Sequence, residues 1–229
     1  PVTTGADSVT VYFDADGATL GTIAAGAAAS LLVNETGTYT FTVLDAMAHD
    51  AVGEDWLGNF PAVSITAADG DGDEVSISLT LDVQDDIPVI KTEMGTETVN
   101  AEEESVPSLD GNDEADGYSY QVTNGDITDN VNWGADGFGA VTTVTVGTTD
   151  YNMPVTTGAD SVTVYFDADG ASLGTTAAGA AASLLVNETG TYTFTVLDAM
   201  AHDAAGEDWL DNFPAVSITA ADGDGDEVS

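Results

Sequence analysis

Residues 1–76 return as residues 154–229 at a constant offset of 153, with four differences: Thr19/Ser172, Ile23/Thr176, Val52/Ala205 and Gly58/Asp211. Two stretches this alike must fold alike, which confines the chain to architectures in which one unit recurs. The 229 residues hold about one and a half periods of that unit.

The pattern inside a period selects the kind of unit. Val75-Ser76-Ile77-Ser78-Leu79-Thr80-Leu81-Asp82-Val83 alternates apolar and polar residues without a fault, as a half-buried strand does. Strands are expected near 8–13, 38–44, 62–68 and 75–83, and again near 161–166, 191–197 and 215–221. The unduplicated part adds strands near 97–100, 118–123, 129–133 and 140–146. Helical periodicity is absent; Ala24 to Leu32 is interrupted by Gly26 and reads as a helical turn, a surface strand or a loop. Short alternating strands joined by Gly/Asp/Asn turns predict an all-β chain of tandem immunoglobulin-like antiparallel β-sandwich domains.

Gln84-Asp85-Asp86-Ile87-Pro88 reads as the linker, because Pro88 cannot donate to a ladder and keeps the residue before it extended. Residues 1–86 are therefore read as the C-terminal part of one sandwich repeat, and 87–229 as the next repeat, lacking its final strand. The second copy stops at Ser229, two residues into the strand that 75–83 is expected to form, so the parent protein is expected to be longer.

Charge narrows the function. Against 41 acidic side chains stands a single base, Lys91, for a formal charge of −40. Such a field repels phosphate backbones and anionic headgroups, which argues against nucleic acid and membrane surfaces and for cations as partners. Hydrophobic residues make up 43% of the chain and fall in regular patterns, so a folded protein is expected. Self-repulsion then calls for neutralisation, and a divalent metal is the simplest source. Cysteine is absent, which removes disulfides and thiolate sites. No apolar run approaches the roughly 20 residues of a membrane helix, so direct membrane insertion is not expected.

The metal has a candidate home. Ala68-Asp69-Gly70-Asp71-Gly72-Asp73-Glu74 crowds four carboxylates into one loop and returns unchanged as Ala221 to Glu227. Intervening glycines let the backbone curl and turn several carboxylates inward. Hard oxygens in that number suit Ca2+, which takes six to eight at about 2.3–2.6 Å, better than the stricter Mg2+. Glu74 and Thr80 stand where an EF-hand loop needs Gly and Glu, so this is a different device. The plain alternative is a solvated acidic hairpin turn.

A strand of nine residues spans about 30 Å, which places the loop and the following linker at opposite ends of one domain. The expected site therefore unites Asp85 or Asp86 with Asp222, Asp224 and Asp226 at a junction between domains. By the same geometry Asp69, Asp71 and Asp73 face a junction upstream of residue 1.

Other acidic clusters carry less. Asp14-Ala-Asp16-Gly17 and its copy Asp167-Ala-Asp169-Gly170 read as plain turns, and Asp110 to Gly117 as an oxygen-rich loop. Glu102 to Glu104 read as solvated, with Glu103 or Glu104 a secondary junction ligand. His49 and His202, one per copy and without a second histidine, read as part of a surface loop anchored by Trp56 in the core. No nucleophile elbow, phosphate-cradling loop or isolated carboxylate pair points to catalysis, so no enzyme is expected.

Three segments, VSITAADGDGDEVSISLTLDVQDDIPVI at 63–90, GTYTFTVLDAMAH at 37–49 and NWGADGFGAV at 132–141, together with the tandem duplication, carry a family resemblance. The chain resembles the repeated extender domains of giant bacterial RTX adhesins exported by type I secretion. That resemblance implies calcium at domain junctions, neighbouring repeats of the same chain as partners, a type I secretion apparatus and a place on the extracellular bacterial surface. The role it implies is a spacer holding a distal binding domain away from the membrane. Two alternatives stand beside it: a sugar-recognising adhesin module, and a filament subunit completed by a strand from another chain, which would give fibre self-assembly.

Overall fold

A computed structural model describes residues 7–49, 53, 55–91, 96–103, 106–109, 118–154, 160–202, 210 and 212–229. Every strand pair is antiparallel, no α-helix occurs among the described residues, and the chain divides into two compact units. The first comprises residues 1–87 with 134–137 and 224–226; the second comprises 88–133, 138–223 and 227–229.

The first unit carries β1 (Ser8–Phe13), β2 (Thr19–Gly21), β3 (Ala29–Asn34), β4 (Tyr39–Val43), β5 (Trp56–Leu57), β6 (Val63–Ala68), β7 (Glu74–Leu79) and β8 (Val83–Gln84). They form a four-stranded sheet in the order β2-β1-β3-β4 and two strand pairs, β6-β7 and β5-β8. Its core gathers Phe13, Leu31, Met47, Leu57 and Leu81, with Phe41, Phe60, Val63, Leu79 and Val83 packed around them.

The second unit carries β9 (Val89–Ile90), β10 (Gln121–Asp126), β11 (Val131–Asn132), β12 (Phe138–Val146), β13 (Thr149–Asn152), β14 (Ser161–Phe166), β15 (Ser172–Gly174), β16 (Ala182–Asn187), β17 (Thr191–Val196), β18 (Val216–Asp222) and β19 (Glu227–Val228). Two main sheets, β10-β17-β16-β14-β15 and β13-β12-β18-β19, enclose one core. Val141, Val144 and Ala220 from one sheet meet Val164, Phe166, Leu184 and Val186 from the other. Inward residues alternate along β14 and β16, as the pleat requires. This is a β-sandwich.

The duplicated segments fold alike where their surroundings match. Phe13, Phe41 and Phe60 stack edge to face at 5.3–6.3 Å, and their counterparts Phe166, Phe194 and Phe213 pair at 5.3–6.5 Å. They differ where a covering strand differs. Tyr192 and Val196 on β17, which pairs with β10, are buried, whereas Tyr39 and Val43 on β4 are exposed.

Several sequence expectations need correction. Residues 97–100 are not a strand, 129–133 split into a 3-10 turn at Thr128–Asn130 and the short β11, and 118–123 begins pairing only at Gln121. The Ala-rich stretch is a core strand from Ala29, because Ala29 and Leu31 face inward between β1 and β4. The segment 75–83 ends as a strand at Leu79, opposite Val63, where β6 begins just after Pro61. Proline cannot extend the ladder, so Thr80–Asp82 lack a partner strand, although Leu81 keeps the inward phase and Val83 resumes as β8 against β5. Trp56 is not a core anchor: it is 58% exposed, and the adjacent Leu57 takes the inward position. Period two allows only one of two neighbours to face the core.

Candidate metal centre

Among the described residues, carboxylate oxygens converge in three places: Asp69, Asp71 and Asp73; Asp85, Asp136 and Asp224; and Asp222, Asp224 and Asp226. Within each group the ligand atoms lie within 4.8 Å of one another, and Asp224 belongs to two groups.

The first group sits in the hairpin turn between β6 and β7 and is fully exposed. The Asp69 carboxylate caps the turn, accepting from the backbone N–H of Asp71, Gly72 and Asp73 at 3.2, 3.0 and 2.9 Å. Gly72, at φ 99°, supplies a conformation that side chains resist. A side-chain hydrogen bond to Asp71, then the N–H of Asp73, holds the Asp69 carboxyl below its ordinary range. Much of that oxygen is engaged by its own turn.

The same heptapeptide after β18 has a different environment. Asp222 and Asp226 are only 3% and 2% exposed. The backbone N–H of Gly53 donates to Asp226 Oδ1. Asp85, 6% exposed, accepts from the N–H of Asp86 at 2.9 Å through Oδ1, while its own N–H donates to the Asp55 carbonyl. Asp85 Oδ2 is buried and has no hydrogen-bond partner. Burial pushes the Asp85 pKa up; the His49 charge and the Asp86 N–H oppose this, and the charges of Asp226 and Asp136 add to it.

Coulomb's law sets the scale of the problem. Two unit charges 4.8 Å apart repel by roughly 3.5 kcal/mol at an effective dielectric of about 20. The one basic side chain cannot relieve this, since Lys91 Nζ donates to the Asp129 carbonyl. His49 is the nearby titratable base: its Nε2 lies 3.8 Å from Asp85 Oδ1, its side chain is almost fully buried, and its Nδ1 has no hydrogen-bond partner. A divalent cation is the chemistry this donor set fits: several hard oxygens and a buried oxygen left over.

Asp86 does something else. Its two carboxylate oxygens accept from the N–H of Ala135 at 3.2 and 3.0 Å. Gly134, at φ 75°, lies so close that a Cβ there would stand 2.1 Å from Asp86 Oδ2. Asp86 thus clamps the 134–137 turn that presents Asp136, and it belongs to none of the carboxylate groups. Of the expected ligands, the fold brings Asp85, Asp222, Asp224 and Asp226 into the two overlapping groups, gathers Asp69, Asp71 and Asp73 separately, and leaves Asp86 as a positioning residue.

Asp136 is the residue that sequence reasoning passed over. A signal existed: Gly134-Ala135-Asp136-Gly137 puts a carboxylate between two glycines, both at positive φ, and between two aromatics. Trp133 and Phe138 close the turn's base edge to face at 5.0 Å. His49, expected in a surface loop, has its side chain buried beside Asp85.

The remaining clusters behave as structure. Asp14 and Asp167 cap their turns, accepting from the N–H of Ala18 and Ala171. Glu103 accepts from the N–H of Met200 at 2.6 Å and lies 3.5 Å from His202 Nε2. The 110–117 loop, Glu104 and Trp209 lie outside the described residues. Comparison of the chain with protein-family models, characterised proteins and solved structures found no match.

Proposed function

We propose that this chain consists of structural spacer repeats of a long extracellular bacterial adhesin, immunoglobulin-like in fold, resembling the extender domains of RTX adhesins, and that calcium stiffens the link between successive repeats. The single observation that carries the reading is Asp85: a nearly buried carboxylate with one oxygen lacking any hydrogen-bond partner, set among Asp136, Asp224 and Asp226. Residues 85, 136 and 224 come from three distant stretches of sequence, so an ion held by them ties those stretches together. Ca2+ fits because it tolerates irregular oxygen geometry and takes six to eight ligands.

The export route follows from the same electrostatics. At a formal charge of −40, a calcium-poor compartment keeps the chain loose enough to pass a type I secretion apparatus unfolded, and calcium outside supplies folding free energy on arrival. Neighbouring repeats of the same chain are the partners of such a spacer.

Small-angle scattering in calcium and in chelator tests the proposal. A spacer becomes longer and stiffer with calcium, and Asp85→Asn blunts the change. Identical profiles in the two buffers sink it.

A further inference from the structure

The segment Asp45-Ala46-Met47-Ala48-His49 returns as Asp198-Ala199-Met200-Ala201-His202, and both copies hold their histidine in the same way. The Ala48 N–H donates to the Ala15 carbonyl at 2.9 Å, and the Ala201 N–H to the Ala168 carbonyl at 2.8 Å. Met47 is buried in the first unit's core, and Met200 packs against the second unit's. The Asp14–Gly17 turn, capped by Asp14, therefore fixes the backbone from which His49 projects.

What each imidazole faces differs. His202 Nε2 lies 3.5 Å from Glu103 Oε2 in a partly exposed pair, and Glu103 belongs to none of the carboxylate groups found among the described residues. His49 Nε2 lies 3.8 Å from Asp85 Oδ1, and the two side chains are only 3% and 1% exposed. That separation is an electrostatic contact, longer than a hydrogen bond. In so dry a place the positive N–H end of the ring still draws the nearer carboxylate oxygen. The Asp86 N–H donates to the same Oδ1 at 2.9 Å, whereas Oδ2 is buried without a hydrogen-bond partner. His49 is itself in none of the carboxylate groups, so it reaches the centre through Asp85.

We propose that His49 is a positioning residue of the metal centre: it holds Asp85 Oδ1 on its own side, so that Oδ2 is the oxygen Asp85 presents to Ca2+ beside Asp136 and Asp224. The inference rests on reading those three carboxylates as a cation centre. Two donors on Oδ1, the imidazole and the Asp86 N–H, fix the rotation of a carboxylate that repulsion from its acidic neighbours would otherwise turn aside. A ligand oriented before the ion arrives binds it more tightly, and removing such a partner typically lowers metal affinity about 10–100-fold. The duplication supplies the control, because His202 has the same backbone anchor but faces a carboxylate outside these groups.

The test titrates calcium chloride into the 229-residue protein by calorimetry. His49→Leu, which fills the space without a donor, should weaken calcium binding by about tenfold or more, and His49→Gln, which keeps an N–H donor, should recover most of the loss. His202→Leu should leave the affinity unchanged. On a D85N background His49→Leu should cost nothing further, because the effect passes through Asp85. Nitrogen-detected NMR of the wild-type imidazoles needs no variant to fold: with two histidines in the chain, calcium should shift the His49 Nε2 signal and leave that of His202 in place. Calcium uptake with H49L as tight as wild type, with H49Q no better than H49L, or with His49 Nε2 unmoved overturns this inference alone. A wild-type protein that takes up no calcium overturns the cation reading and this inference with it.

Discussion

Replacing Asp85 by Asn tests the charge reasoning, because the sign of its effect should reverse with calcium. Asp85 has oxygens within 4.8 Å of those of Asp136 and Asp224, which amounts to two repulsive pairs of roughly 3.5 kcal/mol each at an effective dielectric of about 20. A protonated His49 at 3.8 Å returns roughly 4 kcal/mol on the same footing. Relaxation, screening and partial protonation leave a net penalty on the order of 1–3 kcal/mol for the ionised carboxylate. Asn keeps the shape and the acceptor for the Asp86 N–H while removing the charge. In chelator, D85N should therefore melt higher than wild type by roughly 5 °C, taking about 2–4 °C per kcal/mol for a chain of this size. In calcium the order inverts: an ion at a hundred times its dissociation constant stabilises wild type by about 2.7 kcal/mol, and the variant should lose most of that gain. Calorimetry of both proteins in both buffers reads the four melting temperatures. A variant less stable than wild type in chelator, or one that keeps the full calcium-induced rise, refutes the argument.

The duplication supplies an internal control, since Asp71 and Asp224 hold the same place in the two loops: Asp224→Asn should reduce the calcium-induced rise in melting temperature several-fold more than Asp71→Asn, which alters an exposed turn and should stay within about 0.5 kcal/mol in chelator. Gly134→Ala forces a Cβ onto Asp86 at a positive φ and should cost about 1–3 kcal/mol, with a matching loss of calcium affinity by titration calorimetry, because the clamp that presents Asp136 is disturbed. The pH dependence has a definite sign. The folded-state pKa of Asp85 is raised above its ordinary 3.8, so in chelator its contribution is fully present below that value and is lost as pH rises through the folded value. Wild type should accordingly lose stability relative to D85N over that rise, and denaturant titrations at several pH values that show parallel curves contradict the assignment.

Much of the strand inventory was legible because alternation is a local property. β1, β4, β6, β14, β17 and β18 lie where apolar and polar residues alternate between turn residues. β3 and β16 were harder, since an Ala-rich stretch carries too little contrast to fix a period; only the neighbours on both sides settle it. The failure at 75–83 is instructive, because side-chain phase persisted through Leu81 while the ladder did not. Phase belongs to the segment, whereas a ladder also needs a partner, and Pro61 ends that partner. Among the candidate ligands, Asp85, Asp222, Asp224 and Asp226 were visible as acidic density. Asp136 was not, because a single carboxylate between glycines looks like any turn.

The sequence by itself determined that the chain is β-structured, that one unit recurs, and that carboxylates outnumber bases so heavily that any close-packed form must answer the repulsion. Tertiary structure decided the surroundings of each acidic loop. ADGDGDE is exposed after β6, where Asp69 Oδ1 accepts from the N–H groups of its own turn, and the same seven residues are partly buried after β18, with Asp85 and Asp136 brought alongside Asp224. Composition fixes how much charge a segment carries, but electrostatic energy depends on separation and desolvation, and both are set by residues far away in the chain.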